Sequence, residues 1–314
     1  MDLRDRHVVI TGAAGGIGSA LARAAAEQHA RAVVVADRNL EALHALAAEL
    51  DRTAASPAAG PDAAELDRTA ASPAAGPDAV GPSVAGGSPA GPSIAGGPEA
   101  TTALAVELDA GSEESVRGLV ARAREAHGPV DVFVSNAGVP GAMGGPEVPD
   151  EIWDESFRVN VMAHVWAARA LLPDMLERGE GYLVNTASAA GLLTQVASLT
   201  YSVTKHAAVA LAEWLAIEYL ERGIRVSCIC PQGVRTPMLE AAMQDPSAAA
   251  ALNAGGLIEP EDVAHAFVEG LREERFLILP HPEVARFLAL KGADPERWLG
   301  GMRKLVRNAR TGAG

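Results

Sequence analysis

Cysteine is scarce in this chain: two residues in 314, Cys228 and Cys230. They lie two apart in an apolar run, 226–230. On an extended strand both point to one face, where neighbours of that spacing are poorly placed to bridge each other. Buried, reduced thiols are expected, and with them a reducing compartment. Basic side chains are also in deficit, 26 against 40 acidic, for a formal net charge of −14. A field of that sign repels nucleic acid and anionic membrane surfaces, so neither is an expected partner. No run approaches the ~18 apolar residues that a membrane-spanning helix needs. Residues 1–7 are charged and lack the apolar core of a signal peptide. The expectation is a cytoplasmic protein. What the chain does have is apolar material, 48% of its residues, enough for one sizeable core.

Strand-like and helix-like patterns alternate. Strands are expected at 7–11, 31–36, 103–108, 130–135, 182–186, 224–230 and 275–279. Helices are expected at 16–30, 40–50, 113–126, 151–177, 201–221 and 260–272. Such alternation specifies an α/β fold, a parallel sheet covered on both faces. The consecutive apolar triplets Val8-Val9-Ile10, Val33-Val34-Val35 and Val132-Phe133-Val134 fit strands buried on both sides. One segment breaks the rhythm. ELDRTAASPAAGPDA at 49–63 recurs letter for letter at 65–79, and GPSVAGGSPA at 81 is followed by GPSIAGGPEA at 91. Made of Ala, Pro, Gly and Ser, these repeats cannot bury enough surface to offset the entropy of ordering them. Residues 51–99 are therefore expected to be a disordered insertion in a single domain spanning 1–280. A helical C-terminal extension, 281–314, is expected to follow, with helices at 281–290 and 295–310.

Three motifs carry chemistry. Thr11-Gly12-Ala13-Ala14-Gly15-Gly16-Ile17-Gly18 follows the first strand and opens a helix. Glycines at 12, 16 and 18 permit a tight turn and close backbone approach to a pyrophosphate, which the helix N-terminus then attracts. Asp37 ends the second strand, where a carboxylate can accept hydrogen bonds from both adenosine ribose hydroxyls. It also repels a 2′-phosphate, by roughly 4 kcal/mol per charge pair at about 4 Å and an effective dielectric of about 20. NAD is the expected cofactor. Arg38 beside it keeps NADP open as the less favoured one. The third motif is Tyr201-Ser202-Val203-Thr204-Lys205, with Ser188 thirteen residues upstream of the tyrosine. Tyr201 and Lys205, at i and i+4, share one helix face. A free tyrosine has a pKa of about 10, and a neighbouring ammonium is expected to lower it toward working range. Ser188 lies at the carboxyl edge of the sheet, where its hydroxyl can orient a substrate oxygen.

These motifs together resemble the short-chain dehydrogenase/reductase family, in its NAD-type branch, over about residues 6–279 without the insertion. The resemblance implies a Rossmann-type doubly wound sheet. Asn160, in Arg158-Val159-Asn160-Val161, matches the family's fourth catalytic residue, which shapes a helix and holds a water in a proton relay to the lysine. Ser135-Asn136-Ala137-Gly138 resembles the family's N-N-A-G stretch, making Asn136 and Gly138 cofactor neighbours. Asp109 matches the carboxylate near the adenine. Pro231-Gln232-Gly233-Val234-Arg235-Thr236 corresponds to the P-G-x-V-x-T that holds the nicotinamide amide, through Val234 and Thr236. Two departures stand out: Gln232 replaces a glycine, and Leu279-Pro280-His281 replaces the usual Gly-Gly ending.

The implied reaction is hydride exchange between a nicotinamide and a secondary alcohol or ketone, with Tyr201 as acid/base and no metal. Lys205 would hold the nicotinamide ribose and Ser188 the developing oxyanion. Segments 139–149 and 237–256, loop-like and apolar, would cover a neutral, hydrophobic substrate, with Met143, Met238, Leu239 and Met243 as candidate contacts. The family's pairing of long helices implies a homodimer or homotetramer. An NADP-dependent ketone reductase on the same site, or a protein that senses NAD without turnover, are the alternatives.

Overall fold

A computed structural model describes residues 1–55, 101–253 and 255–311. The chain opens with β1 (His7–Thr11), α1 (Gly16–Glu27), β2 (Ala32–Asp37) and α2 (Leu40–Ala55). It continues through β3 (Thr102–Glu107), α3 (Glu113–His127), β4 (Val132–Ser135), α4 (Asp150–Phe157), a π-helical turn (Arg158–Met162) and α5 (Ala163–Arg178). Then come β5 (Gly181–Thr186), α6 (Ala190–Leu193), α7 (Leu199–Tyr219) and β6 (Ile224–Ile229). The last part holds β7 (Gly233–Val234), α8 (Pro237–Ala242), α9 (Pro246–Asn253), β8 (Leu257–Ile258), α10 (Pro260–Arg272), β9 (Leu277–Ile278), α11 (Pro282–Ala293) and α12 (Pro295–Thr311).

Seven strands form one parallel sheet in the order β3-β2-β1-β4-β5-β6-β9. Alternate residues of each strand feed opposite layers, as the period of two requires. Val8, Ile10, Val33, Val35, Val132 and Val134 pack with α1, α2 and α10. Val9, Val34, Phe133, Leu183, Val226 and Cys228 pack with α3, α5 and α7. Both faces are thus covered, which explains why the central strands are apolar at consecutive positions. The order reverses between β1 and β4. The loops leaving their carboxyl ends diverge there, and a crevice opens at that edge.

Several expectations need correction. The helix expected over 151–177 is interrupted by the π-helical turn at Arg158–Met162. An inserted residue there bulges the helix and turns the Asn160 amide inward, a feature that apolar periodicity does not encode. The insertion expected at 51–99 does not begin at Asp51. Residues 51–55 continue α2, and Asp51 Oδ1 accepts a hydrogen bond from Ala103 N (2.8 Å), tying the helix to β3. The rest of that expected insertion lies outside the described residues. Segment 237–256 is not a loop but carries α8 and α9, and the residues flanking it pair as β7 and β8. The two C-terminal helices are present. Lys291 of α11 donates to Leu192 O at the end of α6 (2.6 Å), and Phe287, Leu288 and Trp298 pack around Val284, Ala189 and Leu193. Both cysteines are free and buried in the same core layer, Cys228 in β6 and Cys230 just after it.

Candidate active site

A cleft of about 440 Å³ runs along the carboxyl edge of the sheet, from the glycine turn to α8 and α9. Its first end is built by the turn after β1. Thr11 Oγ1 accepts hydrogen bonds from Asn136 N and Ala137 N, both at 3.0 Å, and Asn136 Nδ2 donates to Thr11 O at 3.0 Å. These bonds lock the β1 and β4 ends together. They bring Gly12 so close that a Cβ on it would lie 2.8 Å from Ala137 Cα, and its φ is +68°. A Cβ on Gly18 would lie 2.1 Å from Gly12 O, so α1 can start this tightly against the turn only with glycine there. α1 has neither a capping side chain nor an acidic residue in its first turn. Its leading N–H groups, with Gly15, Gly16 and Ile17 on the cleft wall, fit an anionic pyrophosphate. Asp37 lines the same end. Its carboxylate accepts from Ala14 N (3.3 Å) and Asn39 N (3.2 Å) and so is held toward the turn. Arg38 is exposed beside it, also on the cleft wall. Asp109 borders the cleft after β3, its Oδ1 accepting from Gly111 N at 2.9 Å.

The middle of the cleft gathers Ser188, Tyr201 and Lys205, although they come from two different elements. Ser188 follows β5, where its Oγ accepts from Ala190 N (3.1 Å) and donates to Pro231 O (3.3 Å). Tyr201 and Lys205 face the cleft from α7, as their spacing predicts. Lys205 is 3% exposed, and its Nζ donates to Thr186 O at 3.0 Å. Asn160, fully buried, sits in the π-helical turn. Its Oδ1 accepts from Val139 N and its Nδ2 donates to Val139 O, both at 2.9 Å, and Nδ2 also reaches Thr204 Oγ1 at 3.2 Å. Asn160 thereby joins the 139 loop to α7 one residue before Lys205. A Cβ on Gly138 would lie 3.2 Å from Asn160 Oδ1 and 3.4 Å from Lys205 Nζ, so Gly138 leaves space beside both. Val234 and Thr236 line the facing wall.

The electrostatics differ from the expectation for the tyrosine. Burial pushes the Tyr201 phenol up, and the neighbouring Ser188 hydroxyl opposes that shift. The ammonium of Lys205 lies 5.7 Å from the Tyr201 ring centroid and points to Thr186 O rather than to the phenol oxygen, so it does not lower the phenol. Burial instead brings Lys205 itself down, to about 8. His164 on α5 escaped the sequence reading. It is 2% exposed, and burial first, then the Lys205 charge, hold it at about 4, so it adds no positive charge near neutrality. A lone histidine inside an apolar helix pattern gives no signal of such a place.

The far end of the cleft is apolar. Met143, Pro237, Met238, Leu239, Ala242 and Leu252 line it, with Gln195, Ser198 and Gln232 as polar neighbours. Met243 does not line it. Gln195, Ser198 and Leu252 were not singled out from sequence, since no motif marks them. Among the described residues on the cleft wall, the charged side chains are Asp37, Arg38, Asp109 and Lys205, none of them at this end.

Comparison with known proteins agrees with this geometry. The short chain dehydrogenase family model matches residues 6–72 and 94–247. The chain is 34% identical to 1-deoxy-11-beta-hydroxypentalenate dehydrogenase of Streptomyces exfoliatus, over 90% of this chain and 86% of that one. It is 31% identical to estradiol 17-beta-dehydrogenase 11 of Mus musculus over 61% of this chain and 63% of that one. A short chain dehydrogenase/reductase from Burkholderia phymatum, solved in complex with NAD, superposes with a TM-score of 0.71 at 27% identity, covering 94% of this chain and 96% of the other. The chain belongs to the short-chain dehydrogenase family. It is an oxidoreductase acting on CH–OH groups, and its family binds a nicotinamide cofactor. Among the described residues no helix is long and apolar enough to cross a membrane.

Proposed function

We propose that the protein is an NAD-dependent dehydrogenase interconverting a bulky, neutral secondary alcohol and its ketone. The observation that carries the reading is the shared wall of the cleft. Ser188, Tyr201 and Lys205 stand between a glycine turn with Asp37 at one end and an apolar chamber at the other. Thr11, Gly12, Gly16, Ile17 and Gly18 would cradle the pyrophosphate. Asp37 would take the adenosine ribose and Asp109 the adenine side. Asn136, Gly138, Val234 and Thr236 would border the nicotinamide, and Lys205 its ribose. When bound, the nicotinamide supplies the hydride acceptor in oxidation and the donor in reduction.

The chain's own residues handle the proton. Tyr201 takes the proton from the substrate hydroxyl at its phenol oxygen, or gives one to the ketone oxygen in the other direction. Ser188 donates a hydrogen bond to the same substrate oxygen and stabilises the charge that develops there. Lys205 and Asn160 continue the proton route away from Tyr201. In the resting chain Tyr201 is raised above its free value and Lys205 lowered to about 8, so the lysine gives up its proton before the phenol does. Met143 and Met238, 42% and 36% exposed at the mouth of the apolar chamber, suit an apolar ligand that covers them. The absence of a charged side chain at that end argues against a carboxylate or phosphate handle there; the relatives named for hydroxypentalenate, which itself carries a carboxylate, and for estradiol, which does not, both favour a bulky alcohol.

Arg38 supports a second reading, in which it turns toward a 2′-phosphate and NADP is used. A panel of secondary alcohols and ketones, assayed with both cofactors by absorbance of the reduced nicotinamide, tests the reading. Turnover of bulky neutral substrates with NAD is expected. Activity confined to charged substrates would refute the substrate class, and equal efficiency with NADP would refute the cofactor choice. We place the protein in the cytoplasm as a homodimer or homotetramer. The outer face of α7 and the turn that follows it, where Trp214, Ile217 and Leu220 are 57%, 83% and 52% exposed, would form the contact. A monomer mass by light scattering at micromolar concentration would contradict that assembly.

A further inference from the structure

The two departures from the family pattern meet in space. His281 is 1% exposed and stands at the entrance to α11. Its Nδ1 accepts a hydrogen bond from Gln232 N (3.1 Å), and its Nε2 donates to Gly233 O (3.2 Å). This pair of bonds fixes the tautomer, with Nδ1 bare and Nε2 protonated. Gln232 reaches the other way. Its Nε2 donates to Ala251 O on α9 at 2.9 Å, and a Cβ at position 255 would lie 2.0 Å from its Oε1, so Gly255 makes room for the side chain. The backbone of Gln232 is outside the left-handed region, so the position does not need the glycine that the pattern leads one to expect there. The next residues lead into Val234 and Thr236, and Thr236 Oγ1 donates to Val234 O at 3.2 Å. The turn is thus gripped from behind by an imidazole at two successive residues.

We propose that His281 is a positioning residue for the nicotinamide turn: as a neutral imidazole it holds the Gln232–Gly233 backbone in the shape that Val234 and Thr236 need to receive the cofactor. The inference rests on the cofactor role proposed above for those two residues. It has a direct consequence for pH. Burial keeps the imidazole below its ordinary value, while the Gly233 and Gly256 carbonyls, Glu283 on α11 and Asp262 on α10 pull in the opposite direction. At neutrality the ring is uncharged and Nδ1 is an acceptor. Protonation places an N–H on Nδ1 against the N–H of Gln232, two donors face each other, and the grip on the turn is lost. Cofactor affinity therefore falls once the pH drops below the imidazole's own value, which burial holds under the ordinary histidine value of about 6.5.

The test titrates the full-length protein with NADH, followed by the fluorescence of the reduced nicotinamide, from about pH 7.5 to about pH 4.5. The unmodified protein is expected to bind more weakly toward the acid end. His281→Leu is expected to bind roughly tenfold more weakly at the neutral end, because a buried N–H loses its acceptor, and to show no further acid loss. His281→Asn offers an amide oxygen where Nδ1 stood and does not titrate. It is expected to bind within about twofold of the unmodified protein at neutral pH and to keep that affinity in acid. A purely structural side chain would not move the acid limb. Unchanged affinity in His281→Leu, no acid limb in the unmodified protein, or an acid limb retained in His281→Asn would each overturn the inference. Should His281→Leu not fold, the pH profile of His281→Asn decides by itself. Failure of the unmodified protein to bind either NADH or NADPH at neutral pH is a different result, and it would overturn the cofactor reading and the inference with it.

Discussion

Replacing Lys205 with methionine is expected to stabilise the fold while abolishing turnover. The ammonium is 3% exposed, and burial brings its pKa from 10.5 to about 8. At ~1.4 kcal/mol per pH unit, the charged form is roughly 3 kcal/mol more costly in the folded chain than in the unfolded one. Methionine fills a similar volume without the charge. It leaves Thr186 O without its donor, which costs about 1 kcal/mol. The net gain is about 2 kcal/mol at neutral pH, a rise of several degrees in Tm. The sign with pH follows from proton binding. Between about pH 8 and 10.5 the unfolded lysine keeps its proton and the folded one loses it, so the unmodified protein gains stability as pH rises through that window. The advantage of the variant is therefore largest near pH 7 and shrinks toward about pH 10. Urea unfolding at both values, followed by tryptophan fluorescence, measures it, alongside an activity assay at neutral pH. A variant less stable than the unmodified protein at pH 7, or an advantage equal at both values, would refute the reasoning. Retained turnover would show that Lys205 has no part in the chemistry.

Tyr201→Phe removes one hydroxyl and leaves the ring, so turnover should fall at least ~100-fold while NADH affinity, measured by fluorescence, stays within a few-fold. Near-original turnover in a variant that binds NADH would remove Tyr201 from the mechanism. Asp37→Ala should narrow the preference for NAD over NADP in kcat/KM by roughly tenfold or more, since it removes the charge that repels a 2′-phosphate; an unchanged ratio would shift the selection to other residues. Deleting residues 56–98 and bridging with a short Gly/Ser loop should leave soluble yield and turnover nearly unchanged, because Asp51 already ties the end of α2 to Ala103 at the start of β3. Loss of either would mean that the repeats pack against the body or serve the site.

Much of this molecule can be read locally. The consecutive valines of β1, β2 and β4 announce strands buried on both faces, and their alternation with helices leaves few topologies open. Tyr201 and Lys205 declare a shared face by spacing alone, and Gly12, Gly16 and Gly18 with Asp37 declare a nucleotide turn, because each motif is a short-range arrangement of one element. Boundaries were less legible. The repeat at 49–63 suggested that disorder begins at Asp51, while a single long-range bond to Ala103 keeps that residue helical. The π-helical turn at Asn160 likewise depends on a partner distant in sequence, the peptide of Val139.

The sequence by itself determined the sheet, the glycine turn and the Ser188–Tyr201–Lys205 group, since these rest on periodicity and on spacings of a few residues. Tertiary structure alone decided the protonation chemistry and the compensation between distant departures. Burial is a property of the assembled layers, so it took the folded chain to reveal that Tyr201 is raised rather than lowered and that Lys205 bears the shift. Gln232 and His281 lie 49 positions apart and look unrelated along the chain. They form one unit because the strand order places β9 beside β6, and the residues leaving the two strands meet behind the same turn.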